Sequence, residues 1–163
     1  MSPSPMNRSR FADLDAARHA VAVTLPGIEA ALRDPSVSGL GVLHLVLLDP
    51  GAPFPHCSFE EAVLYEHSVG DRACWDVDYA AFARDKARLS WQYAMDSRRL
   101  QWLEPHRLCA HDSLRWGGVW LDGIVVAASG AQPAWDEAFA LTVASGLRAI
   151  AFNRAQAARE AGG

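Results

Sequence analysis

The most continuous apolar stretch in the chain is residues 40–48, LGVLHLVLL, interrupted only by His44. A run this short without polar alternation predicts a strand buried on both faces. The DPGAP sequence at 49–53 ends it. Residues 62–69 predict a second strand, with Val63, Tyr65, His67 and Val69 alternating onto one face. Upstream, residues 11–31 place Leu14, Ala17, Val21 and Ile28 at helical spacing, continued by Leu32, and Pro26-Gly27 divides them into two helical pieces. Downstream, Asp76 or Asp78 caps a long helix over 79–95 whose inward stripe is Phe82, Leu89 and Tyr93. Residues 96–112 read as irregular or as short turns.

Residues 116–137, WGGVWLDGIVVAASGAQPAWDE, carry the densest local information. Gly117-Gly118 opens a short strand, Asp122-Gly123 turns the chain, and residues 124–128 return as a second strand. Ser129-Gly130 follows, and Gln132-Pro133 starts a helix running to about residue 159. The order is therefore α-β-β-α-β-β-α. One antiparallel sheet flanked by helices, an α/β chain of the α+β kind, is the simplest way to bury those faces. No internal repeat is present.

Size and charge narrow the classes. The 163 residues suffice for one full core but hardly for two, so residues 11–160 read as a single domain behind a polar, Pro- and Ser-rich tail at 1–10 that is expected to be disordered. A net charge of −4, with basic clusters interleaved with acids, argues against nucleic acid and anionic membrane as partners. No apolar run approaches membrane-spanning length. Three cysteines without paired spacing, behind a leader with no apolar segment, give the expectation of a cytoplasmic protein with reduced thiols.

Three strings then bear a resemblance. FARDKARLSWQYAMDS (82–97) has an aromatic start at Phe82, Lys86 and a closing Ser97; WGGV (116–119) is a Gly-Gly turn into a strand; Ala128-Ser129-Gly130 precedes Trp135-Asp136-Glu137-Ala138. Together with the element order, they resemble the GlcG/HbpS family of haem-binding-type domains, and within it the small "haem-degrading domain" proteins, over roughly residues 41–151. The resemblance implies a profilin-like fold, homo-oligomers, and haem as a candidate ligand. Arg115-Trp116 stands where those proteins often carry a histidine before the glycine pair, and His111 is displaced from that place.

The candidate chemistry gathers at few positions. Lys86 shares the helical stripe of Phe82, Leu89 and Tyr93, where it serves as a carboxylate clamp or base, or else snorkels or pairs with Asp85. Ser129-Gly130 ahead of the helix start resembles an anion-holding corner, while Asp136 and Glu137 compete for the same dipole. With Gly117, Gly118 and Ser97, this corner forms a ligand-binding set in which Trp116 walls the pocket and Arg115 pairs with an acid group. Trp91 and Trp102 read as core or interface. His67 is a candidate base or axial ligand and His44 raises the same question, a hydrogen-bonded structural role being the commoner use of a lone strand histidine. His106, Cys109 and His111, with Cys57 or Cys74, match no usual zinc spacing, so no metal is assigned.

The leading expectation is thus a small-molecule-binding domain for a planar or aromatic, acidic ligand, haem included. Its first alternative is a lyase or isomerase without an organic cofactor, acting on a small aromatic acid, with Lys86 and His67 moving protons. Its second is an oligomeric scaffold in which Arg115 and Trp116 lie between subunits with no cavity.

Overall fold

The computed structural model describes residues 8–162; residues 1–7, most of the expected tail, lie outside them. The last residues of that tail are tied down, the Ser9 amide donating to the buried Asp49 carboxylate at 3.0 Å. The chain runs α1 (Leu14–Leu32), β1 (Leu43–Leu48), α2 (Phe59–Ala62), β2 (Val63–Val69), α3 (Tyr79–Tyr93), α4 (Ser97–Leu103), β3 (Gly118–Leu121), β4 (Ile124–Ser129) and α5 (Pro133–Gly162). The four strands form one antiparallel sheet in the order β2-β1-β4-β3. Helices α1 and α5 cover one face and α3 the other, which is the expected α+β arrangement.

The strand residues divide between the faces by parity. Leu43, Leu45 and Leu47 of β1 meet α1 and α5, whereas Val46 and Leu48 meet α3. All six residues of β1 are buried, as a central strand covered on both sides requires.

Three local expectations change. First, α1 is a single helix through Pro26. The proline and the residue four before it, Ala22, both face solvent, so water can satisfy the freed carbonyl while Ala20, Val21, Ile28 and Leu32 stay buried on either side. Second, residues 97–103 form α4, a two-turn helix whose Leu100 is fully buried. Third, the inward stripe of α3 carries the expected Leu89 but is otherwise built mainly from small residues. Ala83, Ala87 and Ser90 are completely buried together with Lys86, while Phe82 and Tyr93 are only partly covered.

The small stripe exists because α3 lies unusually close to the β3–β4 hairpin. A Cβ on Gly118 would sit 2.5 Å from the Lys86 carbonyl oxygen and 2.6 Å from Ser90 Oγ. Gly117, with φ +124°, would bring one to 2.5 Å from the Ala128 carbonyl oxygen and 3.0 Å from Lys86 Cδ. Gly118→Ala is therefore expected to destabilise the fold by at least about 2 kcal/mol in chemical denaturation, because backbone must move to admit the methyl. Gly39→Ala, where a Cβ meets nothing within 4 Å, is expected to stay within about 0.5 kcal/mol. Equal effects of the two substitutions would contradict the close approach of α3.

Candidate functional site

A cavity of about 830 Å³ opens where the N-terminal half of α3, the end of β4 and the start of α5 meet the loop that leads into β3. Its floor is an ion pair. Lys86 on α3 and Asp136 in the first turn of α5 are 2 % and 3 % exposed, and Lys86 Nζ donates to Asp136 Oδ2 at 3.0 Å and to the Ala128 carbonyl at 2.9 Å. The second oxygen, Asp136 Oδ1, accepts from the Ala131 amide at 2.8 Å. Burial pushes Asp136 up to about 6 against the opposing pull of Lys86 and the loop amides, and the same burial pulls Lys86 below its ordinary value.

This arrangement fills the anion-holding corner from within. The carboxylate of Asp136 occupies the place that an external anion was expected to take ahead of α5. The Gln132 amide is turned away onto the Val37 carbonyl at 2.8 Å, and Pro133 has no N–H. Ser129 and Gly130 do line the cavity. Ser129 Oγ has no protein hydrogen-bond partner among the described residues.

The cavity is also lined by Arg115. Its guanidinium lies 4.1 Å from the centroid of the Phe82 ring, and no carboxylate among the described residues pairs with it. The missed helix α4 fixes this loop, because Gln101 Nε2 donates to the carbonyls of Ser113 and Arg115, both at 3.0 Å. Trp116 lines the cavity beside it, edge-on to Trp102 at 5.0 Å between ring centroids.

Other expected site residues lie elsewhere. Gly117 and Gly118 are buried beneath the site and act by admitting α3. Ser97, fully buried, clamps Gly118: its Oγ accepts from the Gly118 amide at 3.0 Å and donates to the Gly118 carbonyl at 3.3 Å. His67 shares the α1/α5 side of the sheet with Tyr65, whose hydroxyl is 3.1 Å from His67 Nδ1. The sheet therefore separates His67 from Lys86, while Lys86 and Arg115 share the cavity. His44 is on the α3 side, held between Ser68 (2.8 Å) and Glu66 (2.9 Å).

Asp85, considered as a partner for Lys86, is exposed and bonds Arg88 at 3.3 Å. In the sequence Asp136 stands in the resembling 135–138 string and as a first-turn acid competing for the helix dipole, not as the partner of Lys86. The available signal was an acid and a lysine both adjoining the glycine-rich hairpin, which nothing local connects.

Haem requires an iron ligand from His, Cys, Met or Tyr. Of these types only Tyr79 lines the cavity. Its hydroxyl donates to Asp76 at 2.5 Å, and that bond pushes its pKa up to about 12, holding the phenol protonated and unsuited to iron. The lining residues do not fit haem. Among the described residues, no group of three His, Cys, Asp or Glu side chains is placed to hold a metal ion, and Cys109 lies instead 3.7 Å from the Tyr93 hydroxyl. No described helix is long and apolar enough to cross a membrane.

No protein-family model matches the chain, and no curated protein matches it. Among solved structures, it is similar to the crystal structure of Klebsiella pneumoniae protein ORFY, of DUF336, the GlcG-like family. The two share 16 % identity with a TM-score of 0.50, over 90 % of this chain and 99 % of that one. At that identity the likeness is one of fold, and the chain has an α+β architecture consistent with a profilin-like fold.

Proposed function

We propose that the protein binds a small, planar organic acid in the cavity above Lys86 and Asp136. The observation that carries this reading is Arg115, a cavity-lining guanidinium stacked on Phe82 and lacking a carboxylate partner. A planar guanidinium offers paired N–H groups matched to a carboxylate, and stacking on an aromatic ring holds it in place before the ligand arrives. Phe82, Tyr79 and Trp116 supply aromatic surface for the flat body of such a ligand.

One observation favours a second reading, proton-transfer catalysis as in a lyase or isomerase. A cavity-lining acid held up at about 6 beside a buried lysine is poised to exchange protons near neutral pH. In that reading the protons move through Asp136 and Lys86, since His67 faces the other side of the sheet.

Two outcomes are expected. Arg115→Gln lowers the affinity for benzoate, measured by calorimetry, at least tenfold; an unchanged affinity removes Arg115 as the anchor. The Asp136 carboxyl, followed by carbon-detected NMR, titrates near pH 6 rather than at its ordinary 3.8. Because its folded pKa lies above the unfolded one, the folded state binds the proton more tightly. The contribution of Asp136 to stability is then greatest below about pH 4 and falls by about 3 kcal/mol as pH rises through 6. A midpoint near 4 would contradict the desolvated floor.

A further inference from the structure

We propose that the cavity selects a monoanion, a planar acid with one carboxylate on Arg115 and an uncharged oxygen substituent held by Lys86 and Ser129. This inference rests on the acid-binding reading above and adds the charge and the second polar group of the ligand. It follows from counting charges and unspent hydrogen-bonding groups around the cavity.

The Lys86 charge is already balanced by Asp136 at 3.0 Å, and both groups are shut off from bulk water. The amides ahead of α5 are committed too, Ala131 to Asp136 and Gln132 to Val37. Among the described residues lining the cavity, Arg115 is then the cation without a counter-charge. One carboxylate completes the balance. A second would have to sit near the Asp136 carboxylate without a cation of its own, which low-dielectric surroundings penalise heavily.

The floor nevertheless keeps neutral hydrogen-bonding capacity. A lysine ammonium has three N–H donors. Two of those on Lys86 point to Ala128 and Asp136, so one has no protein acceptor, and Lys86 lines the cavity. The Ser129 hydroxyl, buried at the end of β4 and also lining the cavity, is free both to donate and to accept. A hydroxyl or carbonyl oxygen on the ligand satisfies these groups, whereas a bare hydrocarbon edge would leave them unpaired.

The test is calorimetry on the full chain at pH 7.5 with benzoate, 3- and 4-hydroxybenzoate, isophthalate and terephthalate. The better hydroxybenzoate is expected to bind at least about tenfold more tightly than benzoate, the scale of a hydrogen bond to a charged donor. The dicarboxylate of the same geometry is expected to bind more weakly than benzoate. A dicarboxylate binding more tightly than either hydroxybenzoate, or hydroxybenzoates no better than benzoate, overturns the selection rule and leaves acid binding intact. No binding by any of the five overturns both readings.

Ser129→Ala is expected to cut the hydroxybenzoate-to-benzoate affinity ratio below about threefold, and an undiminished ratio removes Ser129 from the site. Asp136→Asn, which leaves the lysine charge unbalanced, is expected to move the preference toward the dicarboxylate. If that variant does not fold, the Ser129→Ala ratio decides.

Discussion

A lysine ammonium and an aspartate carboxylate buried to 2 % and 3 % exposure, 3.0 Å apart, constrain everything around them. Removing either ion from water costs several kcal/mol, which is tolerated only when the two stay together and their remaining hydrogen bonds are made. Lys86 is in the middle of α3, Asp136 in the first turn of α5, and Ala128, which also receives the lysine, at the end of β4. The pair therefore couples a helix on one face of the sheet to a helix on the other, around the end of a central strand. Any motion that opened this end of the sheet would separate two buried charges.

That geometry is possible because the backbone of α3 lies directly on the hairpin. Gly117 and Gly118 have no side chains to hold it off, and the alanines and Ser90 on its inner stripe keep the spacing short. Ser97 then locks Gly118 from the first turn of α4, and Gln101 from the same helix fixes the loop that presents Arg115. The glycine pair, the serine and the small stripe thus act at one remove from any ligand. They set where the charged groups stand, and the charged groups set what the cavity can hold: a floor polar but balanced, and a wall with one guanidinium open to an anion.

Most of the framework was legible in the sequence because it rests on short-range signals. LGVLHLVLL gave the central strand, Asp122-Gly123 the hairpin, and Pro133 the start of α5, each a local demand of backbone or burial. The exceptions have tertiary causes. Pro26 breaks a helix in isolation, but burial on both sides of it against α5 and the sheet carries α1 through. On the stripe of α3 the expected Leu89 is buried, but Phe82 and Tyr93 are not, because close approach to the glycines selects alanine and serine there. Arg115, Trp116, Ser129 and Lys86 were recognisable as site candidates by chemical type. The partnership of Lys86 with Asp136 joins residues 50 positions apart, and His67 was separated from Lys86 by the sheet, a relation that strand alternation alone does not give.

Lys86 and Asp136 act as one buried unit, and a double-mutant cycle measures this directly. Unfolding free energies would be compared for the parent protein, Lys86→Met, Asp136→Leu and the double variant. A coupled pair predicts that each single change, leaving an unpaired charge behind, costs about 3–5 kcal/mol, and that the double variant recovers at least about 2 kcal/mol of the summed loss. Additive losses within about 0.5 kcal/mol would mean that the two charges do not depend on each other, and would contradict the account.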